Sequence, residues 1–149
     1  MSEHRKYTVD TNLVIDAARD QVANEALARF HRENAPFEYL SSIVVQELRS
    51  GARSAHDLRR LEADFLDLFD RAGRVFTPSR RAWSLSGDVL RDLARRDGLE
   101  LAKVPKSLGN DIMLALSCRE AGVILVTRNE SDFARIRRVV EFAFVAPWP

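Results

Sequence analysis

The chain has 149 residues, of which 46% are hydrophobic and 30% charged, so residues 1–149 suit a single folded domain rather than a disordered segment. A formal net charge of +1 excludes a protein that holds nucleic acid mainly through a broad basic surface. No apolar run approaches a membrane span, the first residues are too polar for a signal peptide, and one cysteine excludes an internal disulfide. These features predict a cytoplasmic protein without a membrane segment.

The first predicted element is a short strand over residues 7–9, because Tyr, Thr and Val favour β structure. The strand runs directly into Asp10, and Thr11 and Asn12 are residues that commonly begin a helix. A carboxylate therefore lies where a buried strand ends, which is the edge at which open α/β sheets bind ligands. Taken alone, these residues are more simply explained as helix caps.

The next segments predict helices separated by a short strand. A first amphipathic helix ends near Pro36, a strand covers residues 37–41, and Ser42 is predicted to cap a helix that carries Glu47. Ser54 resembles the start of a capping box and opens another helix. That helix carries an apolar stripe, which we interpret as facing the core, with a dimer seam as the alternative: Leu58, Leu61, Phe65 and Leu68.

The second half of the chain continues the alternation of strands and helices. A third strand is predicted at residues 74–76, followed by Thr77 and Pro78 as helix cap and first helical residue. Ser107 is predicted to cap a later helix with Asp111 in its first turn.

Residues 123–126 form a continuous aliphatic run, typical of a strand covered on both faces. A polar loop that contains Asp132 follows, and a last strand is predicted within residues 142–145. This alternation predicts an α/β fold of three layers, α/β/α, with a mostly parallel central sheet of about five short strands.

Four acidic residues fall beside the predicted junctions between strands and helices: Asp10, Glu47, Asp111 and Asp132. Right-handed crossovers would bring these positions to one edge of the sheet. Carboxylates that share a pocket repel one another unless a cation is present, and oxygen ligands suit Mg²⁺ or Mn²⁺. Each acid taken singly also has a structural explanation. Glu47 is the strongest indication of a functional site, because its helical turn is otherwise apolar.

Other chemistries fit the sequence less well. His4, His31 and His56 lack the spacing of metal ligands and are predicted to lie at the surface. Cys118 is predicted to be a small buried hydrophobe rather than a nucleophile, and Trp83 to lie in the core or an interface. The glycines form no dinucleotide fingerprint or phosphate loop.

Assembled in order, these residues resemble the PIN-domain nucleases, and especially the toxins of bacterial VapBC-type toxin–antitoxin pairs. The similarity covers the domain length but shows no family motif in residues 56–105. It is carried by the following motifs: Val9-Asp10-Thr11-Asn12, Gln46-Glu47-Leu48 with Gly51, Asn110-Asp111 with Ala115, Gly122, and Val126-Thr127-Arg128-Asn129 with Asp132-Phe133.

The resemblance implies a role for each matching position. Asp10, Glu47 and Asp111 match the family's acidic triad and Asp132 its fourth acid, all four being catalytic and metal ligands. The family also has polar residues that orient these acids or contact the substrate. Four positions of this chain match them: Thr11, Asn12, Thr127 and Asn129. Many members have an acid at the position of Asn129, so a second metal ion would be weakly held or absent.

The resemblance also implies an activity and partners. The expected reaction is hydrolysis of RNA phosphodiester bonds by a water that Mg²⁺ or Mn²⁺ activates, and the expected partners are an antitoxin and a second copy of the chain. Three arginines near the acids are candidates for RNA-phosphate contacts: Arg49, Arg53 and Arg128. The alternatives are an RNA-processing nuclease without an antitoxin and a phosphoacceptor signalling domain.

Overall fold

The computed structural model describes residues 5–148. His4, the rest of the polar N-terminal segment before it, and Pro149 lie outside these residues. The strands are β1 (Lys6–Val9), β2 (Glu38–Ser41), β3 (Val75–Phe76), β4 (Val123–Val126) and β5 (Phe144–Val145). The α-helices are α1 (Thr11–Arg19), α2 (Gln21–Asn34), α3 (Ser42–Ser50), α4 (Ala55–Leu61), α5 (Asp67–Arg71), α6 (Arg80–Asp97), α7 (Lys106–Ala121) and α8 (Glu130–Arg137). A π-helical segment (Glu62–Leu66) joins α4 to α5, and a 3₁₀ turn (Leu101–Lys103) precedes α7.

The five strands form one sheet in the order β3-β2-β1-β4-β5, and each of its four pairings is parallel. The register places Val9 opposite Val126 and Thr8 opposite Tyr39. The predicted α/β class and parallel sheet of five short strands are therefore confirmed. Strand β1 lies at the centre of the sheet, although it is the first element of the chain.

The chain changes direction across the sheet at β1. It moves outward through β2 to β3, and then returns to the other side of β1 to form β4 and β5. Because parallel crossovers are right-handed, α1–α5 and α6–α8 cover opposite faces of the sheet. The ends of β1 and β4 thus flank the topological switch point, where open α/β sheets bind ligands.

Apolar side chains on both faces of the sheet make one core. Val9 and Leu125 are completely buried in the sheet, and residues 112–118 of α7 are all buried, which explains why this helix has no polar stripe. Burying each large aliphatic side chain contributes about 1.5–3 kcal/mol. No helix in the described part of the chain is both long enough and apolar enough to cross a membrane.

Three helices begin at residues other than those predicted. Ser41, not Ser42, caps α3 by accepting a hydrogen bond from the Ile43 N–H at 3.2 Å. Ser79, not Thr77, caps α6, so Pro78 precedes that helix and is not its first residue. The helix α7 begins directly after Pro105, without a side-chain cap at Ser107, and this earlier start moves Asp111 into the second turn.

The apolar stripe predicted over Leu58 to Leu68 is interrupted by the π-helical segment. A π turn contains an extra residue, so it rotates the side chains that follow it relative to a regular α-helix. Phe65 and Phe69 are consequently buried, while Leu68 is 63% exposed. The interpretation of this stripe as wholly core-facing was therefore wrong at Leu68.

Candidate active site

Asp10 lies at the carboxyl end of the central strand and caps α1. Its carboxylate is only 5% exposed and accepts two hydrogen bonds, one from the Thr11 N–H at 2.8 Å and one from the Thr127 hydroxyl at 2.7 Å. Both donors favour the charged form of the carboxylate, and the helix N-terminus adds a positive potential. The structure therefore keeps a carboxylate at a position from which water is largely excluded.

Thr127 fixes the turn after β4 against Asp10. The threonine is completely buried, and its Oγ1 also accepts a hydrogen bond from the Asn129 N–H at 2.9 Å. The Asp10 N–H in turn donates to the carbonyl of Val126 at 2.9 Å. The ends of β1 and β4 are therefore joined by backbone and side-chain hydrogen bonds at the predicted site.

Glu47 reaches the same edge from α3. Its Oε1 accepts a hydrogen bond from the Thr11 hydroxyl at 2.9 Å, so Thr11 contacts Asp10 through its backbone and Glu47 through its side chain. The apolar neighbours of Glu47 explain its orientation, because Val44 and Leu48 are buried and hold this side of α3 against the core. Thr11 is the residue that connects two of the predicted acids.

The pKa values show that Asp111 and Asp132 also share this region. Burial raises the pKa of Asp111 from 3.8 to about 7, with further contributions from the negative charges of Asp10, Glu47 and Asp132. Burial also raises the pKa of Asp10, and the hydrogen bonds from Thr127 and Thr11 partly offset this rise. Four acids from separate parts of the chain therefore lie within electrostatic range of one another.

These acids offer oxygen donors of the type that Mg²⁺ and Mn²⁺ bind. Within residues 5–148, no three Asp, Glu, His or Cys side chains are grouped closely enough to form a ready-made metal centre. Asp111 and Glu47 are only partly buried, so solvent reaches their carboxylates. The four acids supply the donor atoms and the negative charge that a divalent ion requires.

The three predicted phosphate-contacting arginines have different surroundings. Arg49 forms an ion pair with Glu62 at 2.8 Å, and Arg128 forms one with Asp16 at 2.8 Å. Arg53 lines a groove together with Glu47. The sequence analysis did not select Asp16. This residue lies one helical turn after Asn12, on the same side of the helix.

A groove of about 810 Å³ begins beside Glu47 and extends between the helices α1, α2, α3 and α4. Its apolar wall is formed by residues that include Ile15, Leu48 and Phe65, and charged side chains including Arg53 and Asp64 surround it. The combination of an apolar wall and a charged rim suits an amphipathic peptide segment.

Other residues singled out in the sequence have clear locations. His31 was predicted at the surface but is only partly exposed: its ring packs against Phe65 and Phe69, and its Nδ1 pairs with the buried carboxylate of Glu38. Cys118 is completely buried and burial raises the pKa of its thiol, which confirms it as a core residue. His56 is exposed as predicted.

A PIN-domain family model matches residues 7–139 of the chain. This chain belongs to the PIN-domain family. Ribonuclease VapC2 from Haemophilus influenzae (strain Rd) is 33% identical over 132 residues, which cover 88% of this chain and 92% of that protein. A protein named ribonuclease VapC from another H. influenzae strain, 86-028NP, matches to the same extent.

Several solved structures share the fold. The structure of DNA-bound VapBC from Salmonella typhimurium contains a chain with a TM-score of 0.69 and 24% identity, covering 95% of this chain and 98% of that one. FitAcB from Neisseria gonorrhoeae contains a chain with a TM-score of 0.66, 24% identity and the same coverage. The family model and the two ribonuclease relatives confirm the family resemblance seen in the sequence, and these structures confirm its fold.

Proposed function

We propose that this protein is a Mg²⁺- or Mn²⁺-dependent endoribonuclease that acts as the toxin of a toxin–antitoxin pair. The observation that carries the proposal is the position of Thr11, which donates its N–H to Asp10 at 2.8 Å and its hydroxyl to Glu47 at 2.9 Å and so joins two carboxylates at one edge of the sheet. Burial, and with it the negative charges of Asp10, Glu47 and Asp132, raises the pKa of Asp111, so the acids repel one another there. Such repulsion is unfavourable in the free protein and becomes favourable when a cation binds. The names of the relatives, both ribonucleases, support RNA as the substrate. RNA is abundant in the cytoplasm, where we expect the protein to act.

Asp10, Glu47, Asp111 and Asp132 would hold the metal ion. When bound, a divalent ion supplies Lewis-acid polarisation of the scissile phosphate and lowers the pKa of a nearby water. The partly exposed carboxylate of Glu47 would orient the attacking water and accept its proton, while the hydroxyl of Thr11 fixes the rotamer of Glu47. Thr127 would hold Asp10 in one orientation and in its charged form.

RNA cleavage by the purified protein tests the nuclease proposal. We expect cleavage of total RNA in Mg²⁺, its loss in EDTA, and its loss in the Asp10→Ala variant, which should also abolish growth arrest on expression. The matched control is Asp20→Ala, since Asp20 also caps a helix through its side chain but lies at the start of α2. Undiminished cleavage by purified Asp10→Ala would refute the proposed role of the acids.

The groove beside Glu47 supports the antitoxin part of the proposal. A bound peptide that filled this groove would extend to Glu47 and could block the acids directly. Solved structures that share this fold include VapBC and FitAB assemblies and a toxin–antitoxin complex from Klebsiella pneumoniae. We expect a small reading frame next to this gene, whose product binds the protein and suppresses its RNA cleavage.

A second surface cavity supports the proposed homodimer. It has a volume of about 310 Å³, lies between α6 and the start of α7, and is lined by apolar residues that include Leu90, Leu101 and Met113. Trp83, also in its lining, is 57% exposed, and Leu101 is exposed too. Exposed aromatic and aliphatic side chains that cluster in this way commonly mark a protein interface.

A further inference from the structure

We propose that Arg128 binds an RNA phosphate beside the acids and that Asp16 is a positioning residue, which holds Arg128 in place. This inference rests on the proposed ribonuclease function and deepens it. It separates Arg128 from the other arginines suggested by the sequence, and it assigns a role to Asp16, which has no counterpart among the expected site residues.

The position of Arg128 in the chain fixes its backbone at the site. The preceding residue, Thr127, donates a hydrogen bond to the Asp10 carboxylate at 2.7 Å, and the following residue, Asn129, donates its N–H to the Thr127 hydroxyl at 2.9 Å. Arg128 therefore begins one residue from a hydrogen bond to the central acid. Its side chain is half exposed and can meet a polyanion from solvent.

The side chain of Arg128 is held on one side only. Its Nη1 donates a hydrogen bond to Asp16 Oδ2 at 2.8 Å, and its other guanidinium nitrogens have no protein partner in the described chain. A guanidinium presents five N–H donors in a planar fork, so one part can contact a carboxylate while another contacts a phosphate. Asp16 lies in the second turn of α1, so the contact directs Arg128 across the helix whose first residue follows Asp10.

Charge explains why a phosphate-binding residue is needed here. Asp10, Glu47, Asp111 and Asp132 make the site negative, and the overall charge of +1 provides little long-range attraction for RNA. Arg49 is paired with Glu62, which lies in the π-helical segment, and Arg53 faces the groove. Arg128 is the predicted arginine whose preceding residue, Thr127, contacts Asp10 directly.

The ion pair itself is suited to positioning rather than to stabilisation. Both partners are substantially exposed, with side-chain exposures of 50% for Arg128 and 39% for Asp16. Exposed ion pairs contribute little to folding stability, so removal of either partner should leave the melting temperature nearly unchanged. An effect on RNA binding can thus be separated from an effect on the fold.

Steady-state cleavage of a fluorophore-labelled single-stranded RNA in Mg²⁺ tests this inference. We expect Arg128→Gln to raise KM about tenfold and to keep kcat within about twofold of wild type. The slope of log(kcat/KM) against log[KCl] should become shallower by the amount expected for the loss of about one phosphate contact. Arg128→Lys should lie between the two, because lysine keeps the charge but lacks the fork. Asp16→Asn should raise KM by a smaller factor, about threefold, and should add nothing in the Arg128→Gln background.

The matched control is Arg91→Gln, which removes an arginine from another exposed ion pair, the one with Asp88 on α6. It should change neither KM nor the salt dependence. Wild-type KM in Arg128→Gln, or an unchanged or lower KM in Asp16→Asn, would overturn the inference. Fluorescence anisotropy measures binding of the same RNA in EDTA and so gives a readout without cleavage. Arg128→Gln should bind this RNA several-fold more weakly than the wild type does. Equal affinity of the two proteins, or no binding by the wild type, would also overturn the inference. Absence of cleavage by the wild type would instead refute the proposed ribonuclease function.

Discussion

Replacing Asp111 with Asn should stabilise the metal-free protein while abolishing its activity. Burial and the charges of the other acids raise the pKa of Asp111 from 3.8 to about 7, so its ionised form is disfavoured in the folded protein. One pKa unit corresponds to about 1.4 kcal/mol, which sets a ceiling of about 4 kcal/mol on this penalty. Because water reaches the partly exposed carboxylate and screens the repulsion, we expect a gain of about 1–2 kcal/mol in unfolding free energy, or about 3–6 °C in melting temperature.

The pH dependence follows from the sign of this shift. The folded protein binds the Asp111 proton more tightly than the unfolded chain, so the penalty is absent below about pH 4, grows as the pH rises, and is complete above about pH 7. Thermal and urea unfolding in EDTA at pH 5 and pH 8, followed by circular dichroism, should therefore show a larger advantage of Asp111→Asn at pH 8. Mg²⁺ should raise the melting temperature of the wild type more than that of the variant.

The control for this experiment is Glu33→Gln, which removes an exposed acid of α2 and should change stability equally at both pH values. The reasoning would be refuted if Asp111→Asn were no more stable than wild type at pH 8, or if its advantage were the same at pH 5 as at pH 8. Either result would mean that Asp111 does not experience the burial and the repulsion that its surroundings indicate.

Three further substitutions probe other parts of the structure. Thr127→Val should cost about 2–3 kcal/mol of unfolding free energy and most of the activity, because it removes the buried hydroxyl donor to Asp10, whereas Thr127→Ser should retain both; urea unfolding and RNA cleavage measure this. Glu47→Gln should leave the melting temperature within about 2 °C of wild type, because an amide oxygen can still accept from Thr11, but should reduce cleavage at least about 100-fold; a folded and active variant would contradict its assigned role. Trp83→Arg should convert the proposed dimer to a monomer in size-exclusion chromatography with light scattering, and an unchanged mass would place the interface elsewhere.

The sequence predicted an element correctly where one strong residue preference determined the local structure. The aliphatic run at 123–126 and the strand before Asp10 could be predicted because both are buried in the sheet, and the acids at their ends followed from parallel topology. Helix starts were less predictable, because Ser41 and Ser42 are equally good caps as residue types. Which of them caps α3 depends on where the strand β2 ends, and the strand end is set by the register with its neighbours.

The side-chain contacts of the site were not predictable in detail. Thr127 and Asn129 were selected only through family resemblance. The hydrogen bond from Thr127 to Asp10 joins residues 117 positions apart in the sequence, and local sequence patterns do not predict a contact between such distant residues. The pairing of Asp16 with Arg128 is equally non-local, at a separation of 112 residues. The π-helical segment escaped prediction because a single extra residue leaves most of the apolar spacing intact.

The central placement of β1 has a consequence for the order of synthesis. The ribosome makes Asp10 more than a hundred residues before it makes the strand β4 and the hydroxyl group that orients this carboxylate. A nascent chain or a prematurely terminated fragment therefore lacks an assembled site, whatever helices it has already formed. For the proposed ribonuclease, this arrangement should protect cellular RNA during translation of the toxin until the residues that follow β4 have been made.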